Sequence, residues 1–414
     1  MLFDAFKNRK SPKIEFIKTN LTWRVAWGTV DVNYENIAWR DEKISVILPR
    51  TTSEFPMEKL AVSSRGRFVV VGDVWLTNRV QLLQKLGIEP DSFQGSSLQL
   101  VANLWEQWGN ESLSQLIGMF ALVIWDRDKQ VLRLVRDRIG VHTLYYTTTG
   151  SVRWIAPQLR TLAPHRSSDL DLVALRDYLC CAFVPGERTL WEQVRELRPG
   201  GSVTNQDALC AYLISFQKCA VDLPQLLKPE VWTAVQTAPW VFAEDLYSQA
   251  SYLNRLMAMN IKFKGADQIL TKVSNLTQAV LLQGRSPLFD QRIVDLSMEI
   301  PPEYKLSGVE EKAVLKQAIT YSTSLASADI LPDKIIHRPK SGMMGPVQLG
   351  FRKYWQREAK DLLLNQNAYI TPYLNKLPIR SWLNYQGDTW SRYGVKLWLL
   401  ASLEIWLQVN QKVQ

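Results

Sequence analysis

The sequence has no apolar run long enough to cross a bilayer. Its richest stretch, Leu397 to Leu407, is interrupted by Ser402 and Glu404, whereas a span needs about 20 nearly unbroken apolar residues. Cysteine is scarce: Cys180, Cys181, Cys210 and Cys219 form no Cys-x-x-Cys pair, so neither a disulfide framework nor a zinc site is indicated. Three histidines in 414 residues leave little for a His-based metal centre. The opening residues, MLFDAFKNRK, carry Asp4 and turn basic where the apolar core of a secretion signal would stand. These absences predict a cytoplasmic globular protein, with no membrane and no metal. What is present is 46% apolar residues, enough for two domains with cores of their own, and a formal charge of +9. Residues 331–414 hold twelve Lys/Arg against five Asp/Glu. Spread over so many residues, that surplus reads as a solvated face, and no module for nucleic-acid recognition accompanies it.

From 14 to 85 the pattern is of short strands and turns: Trp23–Val25, Ile44–Leu48, and Phe68–Val71 closed by Gly72-Asp73. Leu98, Val101, Ala102, Trp105 and Trp108 recur at helical spacing and stop at Gly109. Strands at Met119–Trp125 and Val131–Val135 flank the turn Asp126 to Lys129, and Leu144–Thr147 follows. Phe120, Leu122 and Ile124 are expected on one face with Val131, Leu132 and Leu134 near them. Past Pro164 a helix is predicted over Asp169–Cys180, opened by Ser168 or Asp169, with Cys180 and Cys181 as buried packing residues. Beyond the turn Arg198-Pro199-Gly200-Gly201 the spacing is helical through Leu246–Met257, Ile269–Leu282, Ile293–Ile300, Lys312–Ile319 and Leu397–Leu407.

Six strings carry more. GRFVVVGDVWLTNRVQLLQKLG (66–87), SLSQLIGMFALVIWDRDKQVLRLVRDRIGVHTLYY (112–146), DYLCCAFVPGERTLWEQVRELRPGG (177–201), RSPLFDQRIVDLSMEIPPEYKL (285–306), LPDKIIHRPKSG (331–342) and VKLWLLASLEIWL (395–407) resemble, in order, the glutamine-hydrolysing asparagine synthetases and their β-lactam synthetase and lasso-peptide cyclase relatives. The resemblance implies an α+β protein: an Ntn-hydrolase-like sandwich of two sheets between helix layers over 1–165, a connecting segment over 166–204, and a mostly helical remnant of the synthetase domain over 205–414.

It also implies chemistry that the residues lack. A glutaminase of this kind uses an N-terminal cysteine as nucleophile, and Leu2 stands there. The family's oxyanion string Asn-Gly-Glu falls on Val71-Gly72-Asp73, leaving the Gly72 N–H as the sole remaining donor. Ser97 takes the place of an Asp that holds the glutamine amine. No Ser-Gly-Gly-x-Asp-Ser phosphate loop occurs. About 50 residues separate Gly201 from the string near Tyr252, too few for a multi-stranded nucleotide sheet when one βαβ unit takes roughly 30. Lys-Val-Asp-Arg appears as Lys272-Val273-Ser274-Asn275, and the Glu of Glu-x-Arg-x-Pro as Gln283.

Remnant catalytic candidates are Lys312, Arg338 and Lys340; His142 reads as structural. The resemblance minus its site chemistry predicts a non-catalytic binding or regulatory subunit with a protein partner or a second copy, and no cofactor. The rivals are an ATP- and Mg-dependent amide ligase with a rebuilt or partner-supplied site, and a nucleic-acid binder. With the nucleotide core excised, the helices around Gln268–Leu282 and Ile293–Ile300 need cover. Trp232, Trp240 and Phe242 are expected to plug that space or to bind the partner.

Overall fold

The computed structural model describes residues 22–28, 36–48, 58–198, 218–241, 252–280, 282–307, 310–326, 331–338, 346–387 and 393–411. Two sheets stack in the first half. One is a meander of β4 (Leu60–Val62), β5 (Phe68–Leu76), β6 (Gly118–Asp126) and β7 (Val131–Arg136). The other has the order β10-β8-β9-β1-β3-β2, from β1 (Arg24–Trp27), β2 (Ile37–Asp41), β3 (Ile44–Ile47), β8 (Tyr145–Thr149), β9 (Val152–Ala156) and β10 (Arg195–Glu196). Period-two alternation sorts the side chains. Val69, Val71, Val123 and Trp125 face the second sheet with Trp23, Val25 and Ile155. Phe68, Val70, Leu122 and Ile124 face α1 (Arg79–Lys85) and α2 (Ser97–Trp108), meeting Leu82, Val101 and Trp105. The outer face of the second sheet, through Ala26, Tyr145 and Trp154, packs on α3 (Leu172–Cys181) and the C-terminal helices. The result is four layers, helix, sheet, sheet, helix, as the resemblance implies.

Three local expectations are corrected. Strand β5 runs through Gly72-Asp73 to Leu76, because Gly72 pairs with Leu122 and its missing side chain lets β6 lie close. The register sets Leu122 opposite Val135, so Leu132 and Leu134 join the inter-sheet face, while Val131, paired with Asp126, lies on the Ile124 side at the exposed end of the strand. Helix α3 is capped by Asp171, whose side chain accepts from Ala174 N.

The second half is helical: α4 (Pro229–Val235), α5 (Tyr252–Met259) running through a π-helical stretch, Asn260–Leu270, into α6 (Thr271–Ala279), then α7 (Gln291–Glu299), α8 (Ala313–Ala326), α9 (Gln356–Leu363), α10 (Lys376–Asn384) and α11 (Tyr393–Gln411). Helices α9, α10 and α11 share one core with α3. No helix is long and apolar enough to cross a membrane among the described residues.

Trp232 and Trp240 pack against that shared core. Arg176 explains the placement: its guanidinium donates to Val235 O and Ala238 O at the end of α4 and lies 3.8 Å from the Trp240 ring centre, a cap and a cation–π contact in one. The plug over α6 and α7 is therefore not formed by these rings, and Phe242 lies outside the described residues. Leu276, Val280, Leu282 and Leu288, on and after α6, are 63–70% exposed.

Candidate functional site

One end of the meander meets α6 and α7, and here the residues that replace the family's glutaminase chemistry collect. Lys59 precedes β4, and the β4–β5 pairing carries on to it: Gly72 N donates to Lys59 O at 3.0 Å. Asp73 is buried, accepts from Trp23 Nε1 at 2.8 Å and is ion-paired with Lys59 Nζ. Burial opposes its charge, yet Lys59, His142 and the Trp23 N–H hold the carboxyl below its usual range. Val71 is buried between the sheets. The Ser97 hydroxyl faces Arg79 Nη1 at 3.4 Å.

Across the seam, Ser274 Oγ lies 3.4 Å from His142 Nδ1, Gln158 Nε2 donates to Gln278 Oε1 at 2.9 Å, and the Arg285 guanidinium stands 4.8 Å from the Trp75 ring centre. Arg285 also bonds Gln283 Oε1. Burial pushes the His142 pKa down, against Asp73 and Asp137, which pull it up. Asp137 itself accepts the N–H groups of Ile139, Gly140 and Val141 at 2.7–3.1 Å, which shapes the loop that presents His142. Met119, Ile139, Leu270 and Val294 fill the space between. His142, read as structural, is thus a bearing between the halves. Trp23 and Lys59 carried no sequence signal, being 50 and 14 residues from Asp73.

No reactive thiol is at hand among the described residues. Cys180, Cys181 and Cys219 are buried, and burial raises each, Cys219 to about 12. Lys312 is exposed, in the turn between the hairpin Leu306–Ser307/Glu310–Glu311 and α8, at φ 61°. Arg338 is exposed after the turn Asp333–Ile336, and Lys340 lies outside the described residues. Lys312 and Arg338 form no hydrogen bond or ion pair with each other.

Asp267, in the π-helical stretch, was not anticipated. It accepts Gly186 N at 2.8 Å, and burial, reinforced by Glu196, pushes its carboxyl well up. A raised folded pKa means stability that is complete below the unfolded value of about 3.9 and lost as pH rises through the folded pKa. Asp267→Asn should therefore raise the melting temperature at pH 8 and change it far less at pH 5. An equal shift at both pH values contradicts the assignment.

Comparison with known proteins agrees with the two-part plan. Glutamine-hydrolysing asparagine synthetase 1 of Bacillus subtilis (strain 168) is 30% identical over 129 residues, 31% of this chain and 20% of that protein. Amidase chry2 of Gibberella zeae is 32% identical over 106 residues, 25% of this chain and 15% of that protein. The chain thus matches a fifth or less of these relatives' own lengths. Glutamine phosphoribosylpyrophosphate amidotransferase of B. subtilis, a solved structure, superimposes with a TM-score of 0.26 at 17% identity, covering 34% of this chain and 36% of that one. Residues 5–212 match the glutamine amidotransferase domain and residues 162–408 the asparagine synthase domain, each at least half of the chain, and so the chain belongs to the asparagine synthetase family.

Proposed function

We propose that this chain is a non-catalytic member of the family, a cytoplasmic binding or regulatory subunit for another protein. The observation that carries the reading is the engaged Gly72 N–H. An oxyanion donor must be free and aimed at the developing charge, whereas this one is bonded to Lys59 O and the neighbouring Asp73 carboxylate is held by Trp23 and Lys59.

The synthetase half supports it too. A triphosphate is cradled by a glycine-rich turn opening a helix, and the family's version sits on a parallel sheet. Among the described residues every strand pair is antiparallel, and no three His, Cys, Asp or Glu side chains are grouped to hold a metal. The bare face of α6 and the segment after it supports a protein partner, since contiguous exposed apolar surface marks interaction sites.

Purified protein given glutamine, aspartate and Mg-ATP should release neither glutamate nor pyrophosphate above a no-protein control. In parallel, Leu276→Asp with Val280→Asp should lose whatever protein the wild type retains from its source, with an unchanged melting temperature because both positions are exposed. Reproducible pyrophosphate release overturns the non-catalytic reading, and unaltered retention overturns the assignment of the face.

A further inference from the structure

Three hairpin turns come together at the end of the stacked sheets away from the seam, where Phe68 pairs with Asp126. One carries Glu42 between β2 and β3, one Arg65 and Gly66 between β4 and β5, and one Arg127 to Gln130 between β6 and β7. With Glu106 of α2 they line an open groove of about 610 Å³, within the size range of small-ligand sites of roughly 300–1,000 Å³. Hydrogen bonds that cross from turn to turn hold its walls. Arg67 grips Asp126 through Nε at 3.0 Å and Nη2 at 2.8 Å. Arg127 donates to Gly66 O at 2.9 Å and to Asp41 Oδ2 at 3.2 Å, and Glu106 accepts from Ser63 Oγ at 2.6 Å and Arg65 N at 2.9 Å. The turns are thereby fixed against one another, as loops on a rigid scaffold are where they bind ligands.

Two charges in this lining are left over. Arg65 and Glu42 both line the groove and are exposed. Arg65 is held through its backbone N–H, and Glu42 through its own, which donates to Asp41 Oδ1 at 2.8 Å. Among the described residues neither side chain has an ion pair or a hydrogen bond, and the two do not reach each other. Opposite charges that share one groove without closing on each other leave room for a molecule carrying both complements. The balance of signs points the same way. Four acids, Asp41, Glu42, Glu106 and Asp128, line the groove with three arginines. A lone anion therefore meets the surplus acid, and a lone cation leaves Arg65 unmatched.

We propose that this groove binds a small zwitterion of the amino-acid class, with its carboxylate on the Arg65 guanidinium and its ammonium on the Glu42 carboxylate. The planar guanidinium suits a carboxylate held by two parallel N–H bonds, and the paired walls set the distance between the two ends. The site lies at the far end of the β5–β6 ladder from Asp73 and shares no residue with the bare face of α6. It therefore stands or falls independently of the non-catalytic reading and of the partner.

Isothermal titration of the full chain with glycine, γ-aminobutyrate and ε-aminocaproate, which hold the two charges at increasing separation, tests this. Each is compared with the amine and the acid left when one charged group is removed. The best-fitting zwitterion should bind with a Kd of a few mM or below at low salt, at least about fivefold tighter than either singly charged analogue. Raising the salt to about 0.5 M should weaken it, because both contacts are exposed charge pairs. Arg65→Gln should erase the advantage over the amine, and Glu42→Gln the advantage over the acid. Both variants should keep the wild-type melting temperature, since neither side chain has a partner to lose. No binding by any of the three zwitterions, equal binding of a singly charged analogue, or an affinity untouched by either substitution overturns the proposal. So does binding of a peptide with neighbouring Lys and Asp residues without binding of any free zwitterion.

Discussion

Gly72→Ala should strongly destabilise the amidotransferase-like domain, even though the change adds a single methyl group. At Gly72 φ is +155°, and a Cβ built there falls 2.2 Å from Ala121 O and 3.0 Å from Leu122 Cα. Both are backbone atoms of β6, the central neighbour of β5, and cannot turn aside as a side chain can. The strands must part at the middle of their nine-residue ladder. Overpacking and backbone strain of this kind each cost roughly 1–3 kcal/mol, so a loss of about 4 kcal/mol is expected. That is a large fraction of the 5–15 kcal/mol typical of a folded domain and corresponds to a melting temperature lower by on the order of 10 °C. Gly87→Ala is the control: its φ is +70°, but nothing lies within 4 Å of the added atom, so it should lose only about 1 kcal/mol. Thermal melts of both variants decide the matter, and equal losses would refute the role of cross-strand contact.

Glu404→Ala should be about as damaging in the helical half. The side chain is wholly buried and accepts three N–H groups, from Tyr369, Ile370 and Gln408 Nε2 at 2.8 Å. Alanine leaves the buried Ile370 N–H and the part-buried Tyr369 N–H unsatisfied and opens a cavity between α11 and residues 365–374. Each orphaned group costs about 1–3 kcal/mol, and a total of about 3 to 5 kcal/mol is expected. Glu404→Gln keeps an acceptor oxygen and should lose less than half of that. Urea denaturation of the pair checks it; alanine and glutamine variants with the same midpoint would mean that the carboxylate is not what holds this loop.

The parts of the fold that could be read beforehand are those whose signal is local. Met119 to Trp125 is a short unbroken apolar run, as a strand buried on both faces requires, its turn is polar, and Leu98 to Trp108 ends at a glycine; all three emerge where expected. The cap of α3 was ambiguous because Ser168, Asp169 and Asp171 all precede the same apolar run. The π-helical stretch Asn260–Leu270 has apolar spacing that an α-helix would show as well. Two residues of β10 are too few to signal anything. At the seam, Val71-Gly72-Asp73 was legible as altered chemistry, but not that Lys59 and Trp23 occupy what is left, since those contacts cross 14 and 50 residues. Tryptophan content says that Trp232 and Trp240 seek burial; it does not say against what, and Arg176, nearly sixty residues earlier, decides.

The edge strand β10 has a consequence for how the polypeptide reaches this state while it is being made. Arg136, in β7, is buried, with its guanidinium bonded to Glu196 at 2.8 Å and to Leu197 O at 2.6 Å, partners 60 and 61 residues downstream. On a ribosome adding about 5–20 residues per second, those partners follow Arg136 by several seconds. Until they emerge, the guanidinium has the carbonyls of Gly140 and His142 but no anionic partner, so the end of β7 must stay hydrated and the two sheets cannot close fully at that edge. Completion of the first domain therefore waits for a strand encoded well past its own last hairpin, and the nascent chain carries an open sheet edge, the kind of surface that chaperones recognise, for that interval.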